Sequence, residues 1–174
     1  LLDYLLGAME RTGKLPKNPV ALKTIVTTEM AKAVAESYGA KCYDTFTGFK
    51  FIAEKKNALE STGEGKVLLS YEESYGYMAG DYVRDKDAVT ASLLLTEMAA
   101  YYADKGMTVL EALQELYNKH GWYGEKTHNL VMPGLDGLAD MARLMKNLRE
   151  NPPAEIGGVQ VVQRKDYQDG SVVD

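Results

Sequence analysis

Leu1, Leu2, Leu5, Leu6 and Met9 recur at helical spacing, which predicts a lead-in helix closed by Gly13 and Pro16. Val20 to Val26 is short and rich in strand-forming residues, and Thr28 then stands as N-cap of a helix from Glu29 to Tyr38 that Gly39 ends. Ala40 to Thr45 forms the second expected strand and Lys66 to Tyr71 the third. Between them a helix from Phe49 to Leu59 carries Phe49, Ile52, Lys56 and Leu59 along its length. Strand, helix, strand, helix, strand favours a parallel sheet with right-handed crossovers. After a loop, Asp87 to Asp104 is the longest expected helix. Thr108 and Glu111 then make a capping box for another, which carries Leu110, Leu113 and Leu116 and runs to His120.

Beyond His120 the pattern starts afresh. Trp122 to Met132 is strand-like, Pro133-Gly134 breaks it, Leu135 to Arg149 is helical, Asn151-Pro-Pro153 stops the helix, and Ile156 to Gln163 is a further strand. Met132, Met141 and Met145 are expected as core filling. The fold class expected is α/β: a three-layer α/β/α domain around a mostly parallel mixed sheet, followed by an incomplete α+β segment. The boundaries fall at residues 1–16 for the lead-in helix, 17–120 for the α/β domain and 121–174 for the truncated remainder.

Composition narrows the field. Hydrophobic residues make up 45% and charged residues 26%, which excludes wholesale disorder and collagen-like chains. The net charge of −5 lacks the basic footprint that phosphate neutralisation requires, so nucleic acid is not an expected partner. One cysteine and two histidines cannot build an internal disulfide or a Cys/His zinc cluster. The longest apolar stretches are interrupted by Thr, Glu and Ser, so no membrane span is expected. Opening at Leu1 in helix-like sequence, the chain is expected to be a piece of something longer, and a cytoplasmic one.

Ligands of open parallel sheets bind beyond the carboxyl ends of the strands. That rule selects Thr27-Thr28, then Thr45 to Lys50, then Ser70 to Gly76. Glu72 and Glu73 follow an apolar run and suit acceptance of hydrogen bonds from vicinal sugar hydroxyls, with Ser74 able to donate or accept beside them. The plainer reading is a solvated acidic loop. Gly48 permits close backbone approach and Lys50 can supply a charge for phosphate, although a lysine in a first helical turn is more often only solvated. In Tyr82 to Asp87, cations Arg84 and Lys86 interleave with anions before a long helix. Asp85 or Asp87 serves as N-cap, and the two cations either neutralise their neighbours or face an anionic substrate.

Three segments, Thr47-Gly48-Phe49-Lys50, Tyr71-Glu72-Glu73-Ser74-Tyr75-Gly76-Tyr77 and Val83-Arg84-Asp85-Lys86-Asp87-Ala88, resemble in order and spacing the third domain of the α-D-phosphohexomutases, the phosphoglucomutase and phosphomannomutase superfamily. The resemblance implies that residues 1–16 lead out of a preceding domain, that 17–120 are the sugar-recognition domain, and that 121–174 open the fourth. It implies interconversion of hexose 1-phosphate and 6-phosphate through a glucose 1,6-bisphosphate-type intermediate, with a phosphoserine and Mg2+ in the full-length parent. In those terms Thr47, Gly48, Glu72, Ser74, Arg84 and Lys86 bind substrate and Lys50 is the catalytic candidate for proton transfer. The implied partners are a small-molecule sugar phosphate and the remaining domains of the same chain.

Departures from the family pattern limit the expectation. The catalytic-serine loop, the Asp-x-Asp-x-Asp magnesium loop and the Arg-x-Ser-Gly-Thr phosphate loop are missing from these residues, so no metal ligand is expected here and the segment should not turn over alone. Alternatives are a phosphomannomutase or phosphopentomutase of the same family, a non-catalytic α/β module that binds a sugar phosphate, and an interdomain scaffold.

Overall fold

A computed structural model describes residues 1–173, which divide into two compact units, Leu1–Thr127 and His128–Asp174. In the first, helix α1 (Leu2–Arg11) precedes strand β1 (Pro19–Thr24), helix α2 (Met30–Ser37), strand β2 (Lys41–Thr45), helix α3 (Phe49–Thr62) and strand β3 (Lys66–Tyr71). Strand β4 (Tyr77–Ala79), helix α4 (Ala88–Asp104) and helix α5 (Val109–His120) complete it. The sheet order is β2-β1-β3-β4, with β1 parallel to both β2 and β3 and only β4 antiparallel. All six residues of β1 are buried, as expected of a central strand covered on both faces.

Each face has its own core. Leu6, Ala21, Val34, Ala35 and Leu69 join α1 and α2 to one face. Val20, Leu22, Phe49, Ile52, Leu59 and Met78 join α3 to the other. The three-layer α/β/α arrangement around a mostly parallel sheet is thus present, and the lead-in helix is part of its core, with Leu6 fully buried. The capping box also forms: Thr108 Oγ1 accepts from the Glu111 N–H, while the Glu111 carboxylate accepts from the Thr108 N–H. Asp87 caps α4 by accepting the Val89 N–H at 3.0 Å.

Three expectations about strands need correction. Strand β4 lies inside what the pattern marks as a loop, because three residues are too few to display a period. Trp122 to Met132 forms no strand: its apolar residues find no neighbouring strand to pair with, and Trp122 instead packs at a tilt against Tyr117, ring centres 4.3 Å apart. The stretch from Ile156 to Gln163 turns back on itself. Strand β5 (Glu155–Ile156) pairs antiparallel with strand β6 (Val159–Gln160) through Gly157-Gly158, both at positive φ as a two-residue hairpin turn requires.

The second unit also contains helix α6 (Gly137–Glu150) and a hairpin of strands β7 (Arg164–Asp166) and β8 (Ser171–Val173). Met132, Met141 and Met145 are not core filling. None is buried, and Met145 is 39% exposed, because the hairpins offer no broad apolar face for α6 to cover.

Candidate functional site

Glu72 is the first residue past β3. Its Oε1 accepts the Gly48 N–H at 2.7 Å, immediately before α3 begins. The donor is one of those a helix start leaves unpaired, and the positive end of the helix dipole favours a carboxylate there. The Glu72 N–H donates to the Gly76 carbonyl at 2.9 Å and closes residues 72–76 into a turn. Gly76 must be small, since a Cβ there would come within 2.7 Å of the buried Phe49 ring. Two loops 24 residues apart are therefore locked together at one corner of the sheet.

The loop after β1 joins the same edge. Thr24 Oγ1 donates to Glu73 Oε2 at 3.2 Å, and the Thr24 and Thr27 hydroxyls lie 2.7 Å apart. Both threonines are buried. All three strand-end segments selected by the sheet-edge rule meet as that rule requires.

Around the start of α3, Thr47 and Lys50 are exposed, and Lys50 Nζ rests 4.7 Å from the Phe51 ring centre. Lys86 Nζ lies 5.5 Å from the Phe49 ring centre and 3.3 Å from Asp85 Oδ1. Ser74 is exposed at the tip of the 72–76 turn. Thr47, Gly48, Lys50, Glu72, Ser74 and Lys86 thus gather at the carboxyl edge, supplying acceptors, a hydroxyl and two ammonium groups.

Arg84 does not join them. Its Nη2 sits 3.6 Å from Glu60 Oε2 and its Nη1 donates to the Asp81 carbonyl at 3.4 Å. Glu60 is in the last turn of α3, about 16 Å of helix from Phe49 at 1.5 Å per residue. The physical reason is the antiparallel course of β4, which carries the chain back toward the amino edge before Asp87 returns to pair with Tyr77. Arg84 there belongs to an ion cluster with Lys56, Lys66, Glu60 and Asp81. Lys56, almost fully buried, lies 2.8 Å from Glu60 Oε1 and 3.0 Å from Asp81 Oδ1. The hydrogen bond from Lys66, with that from Lys56, holds the Asp81 carboxyl down at about 2.

Two features of the carboxyl edge escape the sequence reading. Lys23, fully buried at the end of β1, reaches Asp44 at 2.8 Å, Glu29 at 2.9 Å and the Thr27 carbonyl at 3.0 Å. Lys32 bridges the same two carboxylates. Burial pushes Glu29 up, but hydrogen bonds from Lys23 and Lys32 outweigh it and bring the carboxyl to about 2. Burial pulls Lys23 down, and its bonds to Asp44 and Glu29 more than reverse this, so the ammonium stays charged. The available signal was a lone cation in the apolar Val20–Val26 run, with Asp44 opposite in register. The second feature is Glu125, whose Oε1 accepts from Thr28 Oγ1 at 2.7 Å and from the Glu29 N–H at 2.8 Å at the start of α2. Nothing in local spacing links residues so distant in sequence.

Fold and site together define an α/β sheet-edge domain with paired acidic, hydroxyl and basic groups on convergent loops. Its sequence pattern from residue 2 to 120 is that of phosphoglucomutase/phosphomannomutase, alpha/beta/alpha domain III, and the chain belongs to that family. A phosphoglucomutase from Staphylococcus haemolyticus is 35% identical over 97% of this chain, and one from Staphylococcus epidermidis is 30% identical over all of it. The chain spans about 30% of the length of these curated relatives. A solved structure from Thermus thermophilus, assigned as a phosphomannomutase, superposes with a TM-score of 0.51 at 26% identity, covering 69% of this chain and 25% of that one.

Among the described residues no group of three or more His, Cys, Asp or Glu side chains could hold a metal ion. No helix among the described residues is long and apolar enough to cross a membrane.

Proposed function

We propose that this chain is the sugar-binding part of a phosphoglucomutase-like enzyme that interconverts hexose 1-phosphate and 6-phosphate through a bisphosphorylated intermediate. The observation that carries the reading is the bond between Glu72 Oε1 and the Gly48 N–H, which aims a carboxylate and the Ser74 loop at the edge where Lys50 and Lys86 stand. Glu72 Oε2 and the Ser74 hydroxyl take the sugar hydroxyls, since a carboxylate only accepts and a hydroxyl does both. Lys50 and Lys86 meet the phosphate as point charges, and Lys50, freed from the Phe51 ring, is the group placed to move a proton. Phosphoserine, magnesium and the second phosphate clamp belong to the rest of the longer protein, so the chain alone binds without turnover. Arg84 enters the substrate site only if its contacts with Glu60 and Asp81 are given up.

Two measurements test the reading. In the longer protein, Glu72→Gln should lower kcat/KM by the equivalent of about 1.5–3 kcal/mol, the scale of a hydrogen bond to a charged group. Wild-type kinetics would sink the assignment. In the chain alone, glucose 1-phosphate should shift the amides of Gly48, Glu72 and Ser74 together, with a Kd on the order of millimolar or weaker. Micromolar, magnesium-dependent binding would contradict it.

A further inference from the structure

Tyr75 is the only non-glycine residue at positive φ among the described residues (φ +67), and its side chain is 87% exposed. Both properties work against the free chain. An aromatic L-residue is disfavoured in the left-handed region, which glycine occupies without penalty and asparagine or aspartate more readily than tyrosine. A ring left in water also returns none of the stabilisation that burying it would give. Such outliers persist where the surrounding structure over-determines them, and they cluster at ligand clamps.

Here the surroundings do over-determine it. The Glu72 N–H to Gly76 carbonyl bond closes the turn, and Thr24 holds Glu73 from below. Gly76 is fixed against Phe49. The two-residue tip, Ser74-Tyr75, is therefore presented from a base pinned at both ends, with the exposed Tyr75 next in sequence to the Ser74 that the proposed function assigns to the sugar. A pyranose offers hydroxyls at its edge and a C–H surface on its face. Glu72 and Ser74 satisfy the edge and leave the face without a partner.

We propose that Tyr75 is a sugar-binding residue that covers the apolar face of the hexose ring, making the 72–76 turn selective for a hexose phosphate over phosphate alone. The inference rests on the reading of Glu72 and Ser74 as the hydroxyl-binding pair. Binding then offsets the strain of the turn with a contact that only a ring-bearing ligand can make.

Amide and aromatic chemical shifts of the full chain, followed in separate titrations with glucose 1-phosphate and inorganic phosphate, test this. The Tyr75 ring should move with glucose 1-phosphate, in step with Gly48 and Glu72, and stay still with phosphate. Tyr75→Gly should weaken glucose 1-phosphate roughly five- to tenfold, leave phosphate unchanged, and keep or raise the melting temperature because the strain is relieved. Tyr75→Phe should keep wild-type affinity, since the face and not the hydroxyl is used. Movement of Gly48 and Glu72 with a silent Tyr75 ring, or a Tyr75→Gly chain that binds as tightly as wild type, overturns the role of Tyr75 and leaves the site standing. Silence at all three residues overturns both.

Discussion

Leu1–Thr127 and His128–Asp174 put their apolar side chains in opposite places. In the first unit Leu6, Leu22, Ile52 and Leu69 are completely removed from water between a four-stranded sheet and the helices on its two faces. In the second, Gly137 is the only buried residue among those described, while Leu135, Leu138 and Val162 stand in solvent. Hydrophobic content does not explain the contrast, since α6 carries Leu138, Met141, Leu144, Met145 and Leu148. Opportunity does: a helix needs a face to cover, and two-stranded hairpins of two or three residues per strand are marginal by themselves. Polar contacts bear more of the order in the second unit, with Arg149 on Asp166 and Arg164 donating to the Arg149 carbonyl at 3.0 Å.

The sharpest way to break the comparison is at the buried charge of the first unit. Lys23→Met leaves Glu29 and Asp44 facing each other across Lys32. Lys23 is fully buried, but Glu29 and Asp44 are partly exposed and keep Lys32, so the loss falls near the lower end of the about 3–5 kcal/mol typical of broken buried pairs. Urea denaturation should show that loss in the first unit, while amide exchange in His128–Asp174 stays as it was. A wild-type midpoint would mean the cluster is dispensable.

Next in size is a matched pair of truncations. Leu6→Ala, at a fully buried position, should destabilise the first unit by about 2–5 kcal/mol, the usual range for such cavities. Leu138→Ala, at a position 88% exposed, should stay within about 0.5 kcal/mol. Comparable losses at the two sites would show that the second unit has a core of its own.

Acid should also weaken the first unit. Glu29 and Asp81 sit at about 2 against ordinary values of 4.5 and 3.8, so the folded state binds their protons less readily than the unfolded one. Their contribution is whole above about 4.5 and is lost as the pH falls toward about 2. Both carboxylates are partly solvated, so each is worth about 1 kcal/mol or less, and added salt should shrink the effect. Melting of the first unit across that range checks the sign; stability that rose on acidification would refute it.

How much of this was legible follows the same division. Alternation of strands and helices along Val20 to Tyr71 announced the sheet, and Thr108 with Glu111 announced a helix start, because local spacing encodes both. The meeting of Gly48 with Glu72 was legible only through the topological rule that gathers strand ends on one edge. Lys23 with Asp44, Glu125 with Thr28 and Arg84 with Glu60 were not, since each depends on tertiary proximity that no periodicity records. Gly157-Gly158 did carry a hairpin signal, which the flanking apolar residues masked by continuing a strand-like composition.

The smallest effect concerns the polar order of the second unit. Arg149 in the last turn of α6 meets Asp166 of β7, and the Asp166 carboxylate also accepts the Gln168 N–H at 3.0 Å, at the turn into β8. Hydrogen bonds from Arg149 and then from Gln168 hold the Asp166 carboxyl below its ordinary range. Arg149→Gln keeps a donor of similar reach but removes the charge and the two-pronged geometry that guanidinium supplies. With no buried layer to hold the hairpin, the β7–β8 amides should then exchange severalfold faster, while those of β1 and β3 keep their rates. Faster exchange over both units together would mean that they unfold as one, and the contrast between a core-bound unit and an ion-bound one would fail.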